Sequence, residues 1–429
     1  MARSLEPLAV PTGPAVLDLL PRLAAALAGT GPALVPVPAA DPRAAAELVR
    51  ALDGGRPLAA GEDDDADPTA FVVGTSGSTG TPKGTLLPAS ALLASARATR
   101  AFLLGDDPRP AHWLLALPAH HVAGLQVLQR SLVEGTTPTV LDTSTTFTAA
   151  EFARAAASTP GPVRLVSLVP TQLVRVLADV DATAALAGFD AVLIGGAAAP
   201  PALLDRAAAA GVRTVTTYGM SETCGGCLYD EQPLDGVVVT ADPAGRLTLA
   251  GPVVARGYRG RPDHPAFDVD GAGRRRFRTD DVGEFTADTG IRVTAGRWRV
   301  LGRVDDVLVT GGVKVAPAAV EATLAARPGV AEVVLTGVPD PEWGNLLVAV
   351  VVPDTGVPPD PADLRAAARA AHGAPAAPRV TLLVDRLPSR GPGKPDRAAI
   401  RTLARDALAD APTRTDAAAH PLVDRRTGP

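Results

Sequence analysis

A two-part α/β fold is predicted by three features of this sequence. Between residues 69 and 216, short apolar runs alternate with segments of helical period, which implies layers built on a largely parallel sheet. After Tyr218 the pattern shifts to short strands and turns, the mark of a small barrel-like part. Near Asp305 a second strand-and-helix series begins, enough for a smaller α+β domain.

A chain of 429 residues exceeds one ordinary domain, and a 46% apolar content supplies a sizeable core. Residues 1–60, rich in Ala, Pro and Leu, read as helices with loops. The run Glu62-Asp63-Asp64-Asp65-Ala66-Asp67-Pro68 reads as a solvated linker, with an acidic metal site as the lesser alternative. A buried strand over 69–73 follows. Further strands are expected over 113–117, 163–169, 191–194 and 212–216, with helices after Ala89, Val122, Thr171 and Pro201. Short strands over 247–249 and 283–293 come next. The second part carries strands over 307–309, 333–337 and 346–352, and helices over 318–326 and 361–371. A Pro-rich loop covers 353–361. The expected division is a large domain over 1–304, a mobile domain over 305–410 and a disordered tail over 411–429.

Composition excludes several classes. A net charge of −5 and a pI near 5.7 argue against non-specific nucleic-acid binding, which needs a basic face. Aromatics at 3% leave few platforms for stacked bases. No apolar run reaches the roughly 18 residues of a membrane span. The N-terminus lacks a cationic start followed by an apolar block, so no signal peptide is expected. Two cysteines provide no disulfide framework, and a reducing cytoplasm is the expected setting. Lys occurs only at Lys83, Lys314 and Lys394 among 41 basic residues. A planar guanidinium cannot imitate a compact ammonium in a tight oxygen cluster. Each surviving Lys, beside a Gly-rich segment, is therefore a candidate for a specific role.

The strand over 69–73 feeds into Thr75-Ser76-Gly77-Ser78-Thr79-Gly80-Thr81-Pro82-Lys83-Gly84. Gly lets the backbone curl close to a ligand, and successive N–H groups then converge on an anion. Hydroxyls add donors and Lys83 adds a point charge, so the segment reads as a triphosphate cradle. A flexible Gly/Ser linker is the bland alternative, and the strand in front argues against it. The order Pro82-Lys83-Gly84-Thr85 is not that of a Walker loop, and the Gly spacing is not that of a dinucleotide fold.

The whole segment resembles the phosphate loop of the adenylate-forming superfamily, whose members include acyl-CoA synthetases, luciferases and peptide-synthetase adenylation domains. Other motifs resemble that family in the same order. Gly195-Gly196-Ala197 resembles its adenine-contacting turn. In Tyr218-Gly219-Met220-Ser221-Glu222-Thr223, the resemblance implies that Tyr218 stacks on adenine, Glu222 helps hold Mg2+ and Thr223 contacts the α-phosphate. Thr75 is implied as a second oxygen near the metal. Arg278-Thr279-Asp280-Asp281-Val282-Gly283 resembles the ribose motif, with Asp281 on the hydroxyls and Asp280 standing where the family has Gly. Gly302-Arg303-Val304-Asp305-Asp306 resembles the domain junction, implying a nucleotide contact for Arg303 and a hinge at Asp305. Gly311 and Gly312 would line the thiol's approach. Lys314 would be solvated or touch a CoA phosphate. Pro388-Ser389-Arg390-Gly391-Pro392-Gly393-Lys394 resembles the loop of the catalytic lysine, so Lys394, Glu222 and Thr223 are the implied catalytic set.

The resemblance implies an acid–thiol ligase using ATP, Mg2+ and coenzyme A, with a small carboxylic acid as substrate. No nucleic-acid or membrane partner is expected, and a homodimer is the oligomer considered. Leu117-Pro118-Ala119-His120-His121-Val122-Ala123-Gly124-Leu125-Gln126, together with residues 218–227, resembles the o-succinylbenzoate–CoA ligase family of menaquinone biosynthesis. That likeness puts His121 at the acyl site; Ser221, Thr223 and Gln126 are candidate wall residues. The residues alone leave the His pair open as a plain helix start. A ligase for another small aromatic or short-chain acid is the nearest rival. A peptide-synthetase unit is disfavoured because no carrier domain follows residue 410, a non-catalytic sensor because Lys394 and Glu222 are both present, and a kinase because it would release ADP. Cys224-Gly225-Gly226-Cys227 has zinc or redox spacing, yet no second ligand pair exists, and packing beside the acyl pocket is the favoured reading.

Overall fold

Two strands lie within the first 60 residues, where helices and loops alone were expected. Leu5–Val10 and Ala33–Pro38 pair in parallel, and Leu34 lies opposite Phe71 of the strand Thr69–Thr75. Prolines hid the signal, since a residue without N–H argues against a strand. The pairing with the central strand falls at Leu34, ahead of Pro36 and Pro38. Lys83–Pro88 returns antiparallel to Thr69–Thr75, and Gly257–Tyr258 adds antiparallel beyond it. Leu20–Leu27 and Pro42–Ala51 are the helices of this segment; Asp41 caps the second by accepting from the Ala44 N–H at 2.9 Å.

This computed structural model describes residues 3–75, 82–142, 144, 146–287, 296–354, 358–391, 394–409 and 422–424. The chain divides into two compact units. One comprises Met1–Gly196, Arg206–Thr279 and Glu284–Arg299; the other comprises Ala197–Asp205, Asp280–Gly283 and Val300–Pro429.

The acidic run after residue 61 is not a solvated linker. Glu62 is 2% exposed and ion-pairs with Arg259, while its carboxylate also takes the N–H groups of Ala59 at 2.8 Å and Gly260 at 2.6 Å. Asp63 accepts from the Thr69 N–H at 2.7 Å and pairs with Arg3 at 3.2 Å. Asp67 accepts from both the N–H and the hydroxyl of Ser90 and pairs with Arg275 at 3.1 Å. Burial works to raise the Asp67 proton affinity, but the bonds from Ser90 and Arg275 outweigh it and hold the carboxyl below its ordinary range. A charge run reads alike whether its partners are water or distant arginines.

The second sheet of this unit has the order Gln232–Pro233, Gly225–Tyr229, Thr214–Met220, Ala191–Ile194, Val163–Leu168, Ala111–Leu115, Thr139–Val140. Its last five strands are parallel, and Gly225–Tyr229 turns back antiparallel. All four residues of Ala191–Ile194 are buried, as a strand covered on both faces requires. The expected helices appear as Ala89–Leu104, Val122–Glu134, Pro170–Val176 and Pro201–Ala209. Ala149–Ser158 and Val180–Ala187 were not anticipated. Thr148 and Asp179 cap them by accepting from Glu151 and Ala182, a signal present in the sequence. In the region expected to be barrel-like, Val238–Ala241, Arg246–Ala250, Arg275–Ala287, Phe267–Val269 and Gly296–Arg303 form a five-stranded sheet. The expected strand over 283–293 coincides with this sheet as far as 287; the rest lies outside the described residues.

In the second unit, Val330–Asp340, Gly344–Pro353 and Val380–Val384 form a sheet with helices on both faces. Period-two alternation divides it: Leu347, Ala349 and Val351 pack with Val320, Leu324 and Leu364, while Val348 and Val350 pack with Ile400 and Ala404. Of residues 411–429 only Leu422–Asp424 are described, as a strand parallel to Val380–Val384; the remainder of the anticipated tail lies outside the described residues.

Glu62→Ala removes one partner of a buried pair and strands Arg259. The variant should lose about 3–5 kcal/mol, read from the midpoint of urea unfolding; a loss under about 1 kcal/mol would show that water reaches the arginine.

Candidate functional site

The two ends of the segment read as a phosphate cradle belong to paired strands. Thr75 lies opposite Lys83 at the last cross-strand pair, and the Thr75 hydroxyl donates to the Lys83 carbonyl at 3.3 Å. Ser76, Gly77, Ser78, Thr79 and Gly80 lie outside the described residues. Beside the cradle stands a residue that the sequence reading missed. Tyr258 sits opposite Thr85 on the next strand, and the Lys83 ammonium lies 5.2 Å from its ring centroid. The Tyr258 hydroxyl donates to Glu222 Oε1 at 2.6 Å. His264 and Phe267 hold the ring edge-on, at centroid distances of 4.8 and 5.0 Å. One aromatic ring thus joins the cradle's cation to the carboxylate proposed for the metal. Its one signal in the sequence was rarity, since the chain has three tyrosines.

Four parallel strands, Ala111–Leu115, Val163–Leu168, Ala191–Ile194 and Thr214–Met220, bring their C-terminal ends to one sheet edge. Ligands of open α/β sheets bind at such an edge. His121, Gly195, Gly196 and Tyr218 all lie there. A Cβ on Gly195 would collide with the Thr217 hydroxyl, and Gly196 has φ +81°. These two positions therefore need glycine beside Tyr218. Ser221–Thr223 forms a short 3-10 turn in which all three residues are buried, Glu222 at 8% exposure. The Thr223 hydroxyl accepts from the Met220 N–H at 3.0 Å and lies 2.7 Å from the Gly225 carbonyl, so it pegs the turn that presents Glu222.

The helix Val122–Glu134 starts at His121, whose side chain is exposed and makes no capping bond. The His120 ring lies 4.2 Å from it, tilted by 45°. Burial, with His121 adding to it, pushes the His120 proton affinity down to about 4, so the ring is neutral at neutral pH. Gln126 and Ser95 both donate to the Cys224 carbonyl. Four residues after Gln126, Arg130 is 5% exposed, with its guanidinium 5.1 Å from the Trp113 ring. It donates to the Thr99 and Tyr229 hydroxyls at 3.2 and 3.3 Å. Among the described residues no carboxylate lies within ion-pair reach of it, an expensive state for a buried cation. Sequence reasoning passed over Arg130 because it is one arginine among many. Cys224 and Cys227 are buried and are not joined in a disulfide, and burial pushes the Cys224 thiol up to about 12.

The remaining candidates belong to the second unit, and Ala197 is grouped there as well. Arg303 pairs with Asp280 at 3.3 Å, so the carboxylate that departs from the family pattern is the one that meets the arginine. Asp281 is the next residue along the strand Arg275–Ala287. Asp305 lies in the 3-10 turn Val304–Asp306. Gly311 and Gly312, at φ +55° and +77°, form the two-residue turn between Leu308–Thr310 and Val313–Val315. Lys314 is exposed on the second of these strands. Lys394 opens the strand Lys394–Pro395, opposite Gly391 of Ser389–Gly391.

Among the described residues no group of three or more His, Cys, Asp or Glu could hold a metal unaided. One hard carboxylate, Glu222, with the Thr75 hydroxyl near the cradle, fits Mg2+, which keeps waters and takes its other oxygens from phosphates.

The family profile described as "AMP-binding enzyme" matches residues 18–259, and that of the "AMP-binding enzyme C-terminal domain" matches residues 319–394. A probable 2-succinylbenzoate–CoA ligase from Mycobacterium tuberculosis strain H37Rv is 44% identical over 393 residues, covering 91% of this chain and 96% of that one. A feruloyl-CoA synthase from Amycolatopsis sp. is 32% identical over 390 residues, covering 81% of this chain and 75% of that one. The solved o-succinylbenzoate CoA synthetase from Bacillus subtilis, in complex with an acyl-adenylate intermediate, superposes with a TM-score of 0.69 at 22% identity, covering 93% of this chain and 88% of that one.

Tyr258→Phe keeps the ring packing and removes one donor from the buried Glu222 carboxylate. It should cost about 1.5–3 kcal/mol of unfolding free energy. A cost below about 0.5 kcal/mol would mean that the other contacts of Glu222 suffice.

Proposed function

The chain belongs to the AMP-binding enzyme family, and from that premise we propose that it adenylates o-succinylbenzoate with ATP and passes the acyl group to coenzyme A, in menaquinone biosynthesis. It is an acid–thiol ligase. The observation that supports this reading is the Lys83–Tyr258–Glu222 constellation, in which one ring meets both the Lys83 ammonium and the Glu222 carboxylate. The near full-length likeness to a ligase of that acid supports the choice of substrate. Likeness to a feruloyl-CoA synthase favours a second reading, a ligase for another aromatic acid.

In the first step the substrate carboxylate attacks the α-phosphorus; a carboxylate O–P bond forms and the bond to the leaving pyrophosphate breaks. Charge gathers on phosphoryl oxygens, so the protein's work is positioning and electrostatic clamping. Lys83 and the loop after Thr75 hold the β- and γ-phosphates. Tyr218 stacks on adenine over Gly195, Gly196 and Ala197, while Asp281 and Arg303 meet the ribose. Glu222 would hold Mg2+, which when bound neutralises phosphate charge. Lys394 steadies the α-phosphoryl. A rotation about Asp305 then withdraws Lys394. The thiol enters past Gly311 and Gly312 and attacks the acyl carbon; the C–S bond forms, AMP leaves, and the thiol proton goes to solvent. His121 and Ser221 border the acid.

The acid's second carboxylate needs a cation. Arg130, buried on the helix that starts at His121 and with no acidic partner among the described residues, is the proposed seat. No helix among the described residues is long and apolar enough to cross a membrane, and two buried, unbridged thiols support a reducing, cytoplasmic setting. Whether the chain forms a homodimer is decided by its sedimentation mass.

A panel of acids in a pyrophosphate-release assay should give o-succinylbenzoate the highest kcat/KM; higher values with ferulate would favour the second reading. Lys394→Ala should slow acyl-AMP formation about 100- to 1,000-fold and spare thioester formation from supplied acyl-AMP, and equal loss in both steps would contradict the assigned role. Arg130→Gln should raise KM for the dicarboxylate about 10- to 100-fold, as loss of a charged hydrogen bond implies, with little change for the monocarboxylate analogue. Equal shifts for both acids would remove Arg130 from the site.

A further inference from the structure

Arg397 opens the helix Arg397–Ala409, three residues after Lys394. Its two terminal nitrogens each donate at 2.9 Å, one to each carboxylate oxygen of Glu321, a paired fork of fixed geometry. The same guanidinium reaches the Leu335 carbonyl at 3.4 Å, and its Nε lies 3.4 Å from Asp306 Oδ2. Glu321 Oε1 in turn accepts from the Leu335 N–H at 2.8 Å. These partners lie on the helix Pro317–Ala325, the strand Val330–Asp340 and the turn Val304–Asp306. On the other side, the Asp396 N–H donates to the Pro388 carbonyl at 2.8 Å, closing the base of the hairpin that bears Lys394. Asp396 Oδ1 then accepts from the N–H groups of Ala398 and Ala399 at 3.1 Å, starting the helix.

Exposed single ion pairs are weak restraints. This one is bidentate, three-way and largely withdrawn from solvent, with side-chain exposures of 30% for Arg397, 15% for Glu321 and 25% for Asp306. Burial acts to lower the proton affinity of Arg397, yet Glu321 and Asp306 together raise it above its ordinary value.

We propose that Arg397 is a positioning residue for the adenylation step: it ties the hairpin of Lys394 to the turn that holds Asp305, so that lysine and hinge move as one piece. This rests on the reading of Lys394 as the first-step lysine and Asp305 as the hinge.

The test separates the half-reactions in the full chain. Arg397→Gln should slow acyl-AMP formation, read as pyrophosphate release without CoA, by about 100-fold, as loss of alignment does. Thioester formation from supplied acyl-AMP should stay within about 2-fold of the parent. Arg397→Lys keeps the charge but loses the fork, and should recover part of the first step only. Glu321→Gln strips the same arginine of its main partner and should reproduce the selective loss; it carries the test if Arg397→Gln does not fold. A parent-like first step, or equal loss in both steps, overturns the proposal. Lys394→Ala run alongside tells the two failures apart. If it leaves acyl-AMP formation intact, the underlying reading has failed; if it abolishes that step while Arg397→Gln is parent-like, only the positioning role has failed.

Discussion

The antiparallel pairing of Thr69–Thr75 with Lys83–Pro88 is the constraint on which the rest of the first unit depends. It pins the two ends of the Gly- and hydroxyl-rich segment at the Thr75–Lys83 pair. Because Gly257–Tyr258 adds to the free edge of Lys83–Pro88, Tyr258 is delivered beside Lys83 and its hydroxyl meets Glu222. A carboxylate as buried as Glu222 needs donors, and the strand next to this pair provides one. The acidic run just upstream serves the same pairing. Asp63 and Asp67 take N–H groups at Thr69 and Ser90, and so fix the end of the strand pair where Thr69 lies opposite Pro88.

The chemistry that the motifs carried was legible because each combines a backbone demand with a side-chain demand. Gly195 and Gly196 could be found because Thr217 and a left-handed φ exclude a side chain there. The parallel strands were legible as apolar runs between helical periods, to within a few residues at their ends. What escaped was whatever depends on distant partners. Ala33–Pro38 hides its strand behind two prolines. Glu62 is indistinguishable in sequence from its solvated neighbours until Arg259 is placed against it. Tyr258, Arg130 and Arg397 are ordinary residues by local pattern and acquire meaning from what the fold sets beside them.

Arginine and lysine have separate tasks in this chain. Among the described residues the side-chain ion pairs are made by arginine: Arg259 with Glu62, Arg275 with Asp67, Arg327 with Asp363, Arg397 with Glu321. The planar fork suits fixed, two-point contacts within the fold. Lys83 and Lys314 enter no ion pair among the described residues. Lys83 instead faces an aromatic ring at the cradle, an arrangement that leaves an ammonium available to phosphate.

The central claim is that the acid's own oxygen becomes bonded to the α-phosphorus of ATP. The most direct measurement supplies o-succinylbenzoate labelled with oxygen-18 in both carboxylates, with ATP, Mg2+ and coenzyme A, and weighs the nucleotide product. The account predicts AMP carrying one labelled oxygen, formed in step with the thioester. Unlabelled AMP, or ADP in its place, would contradict it.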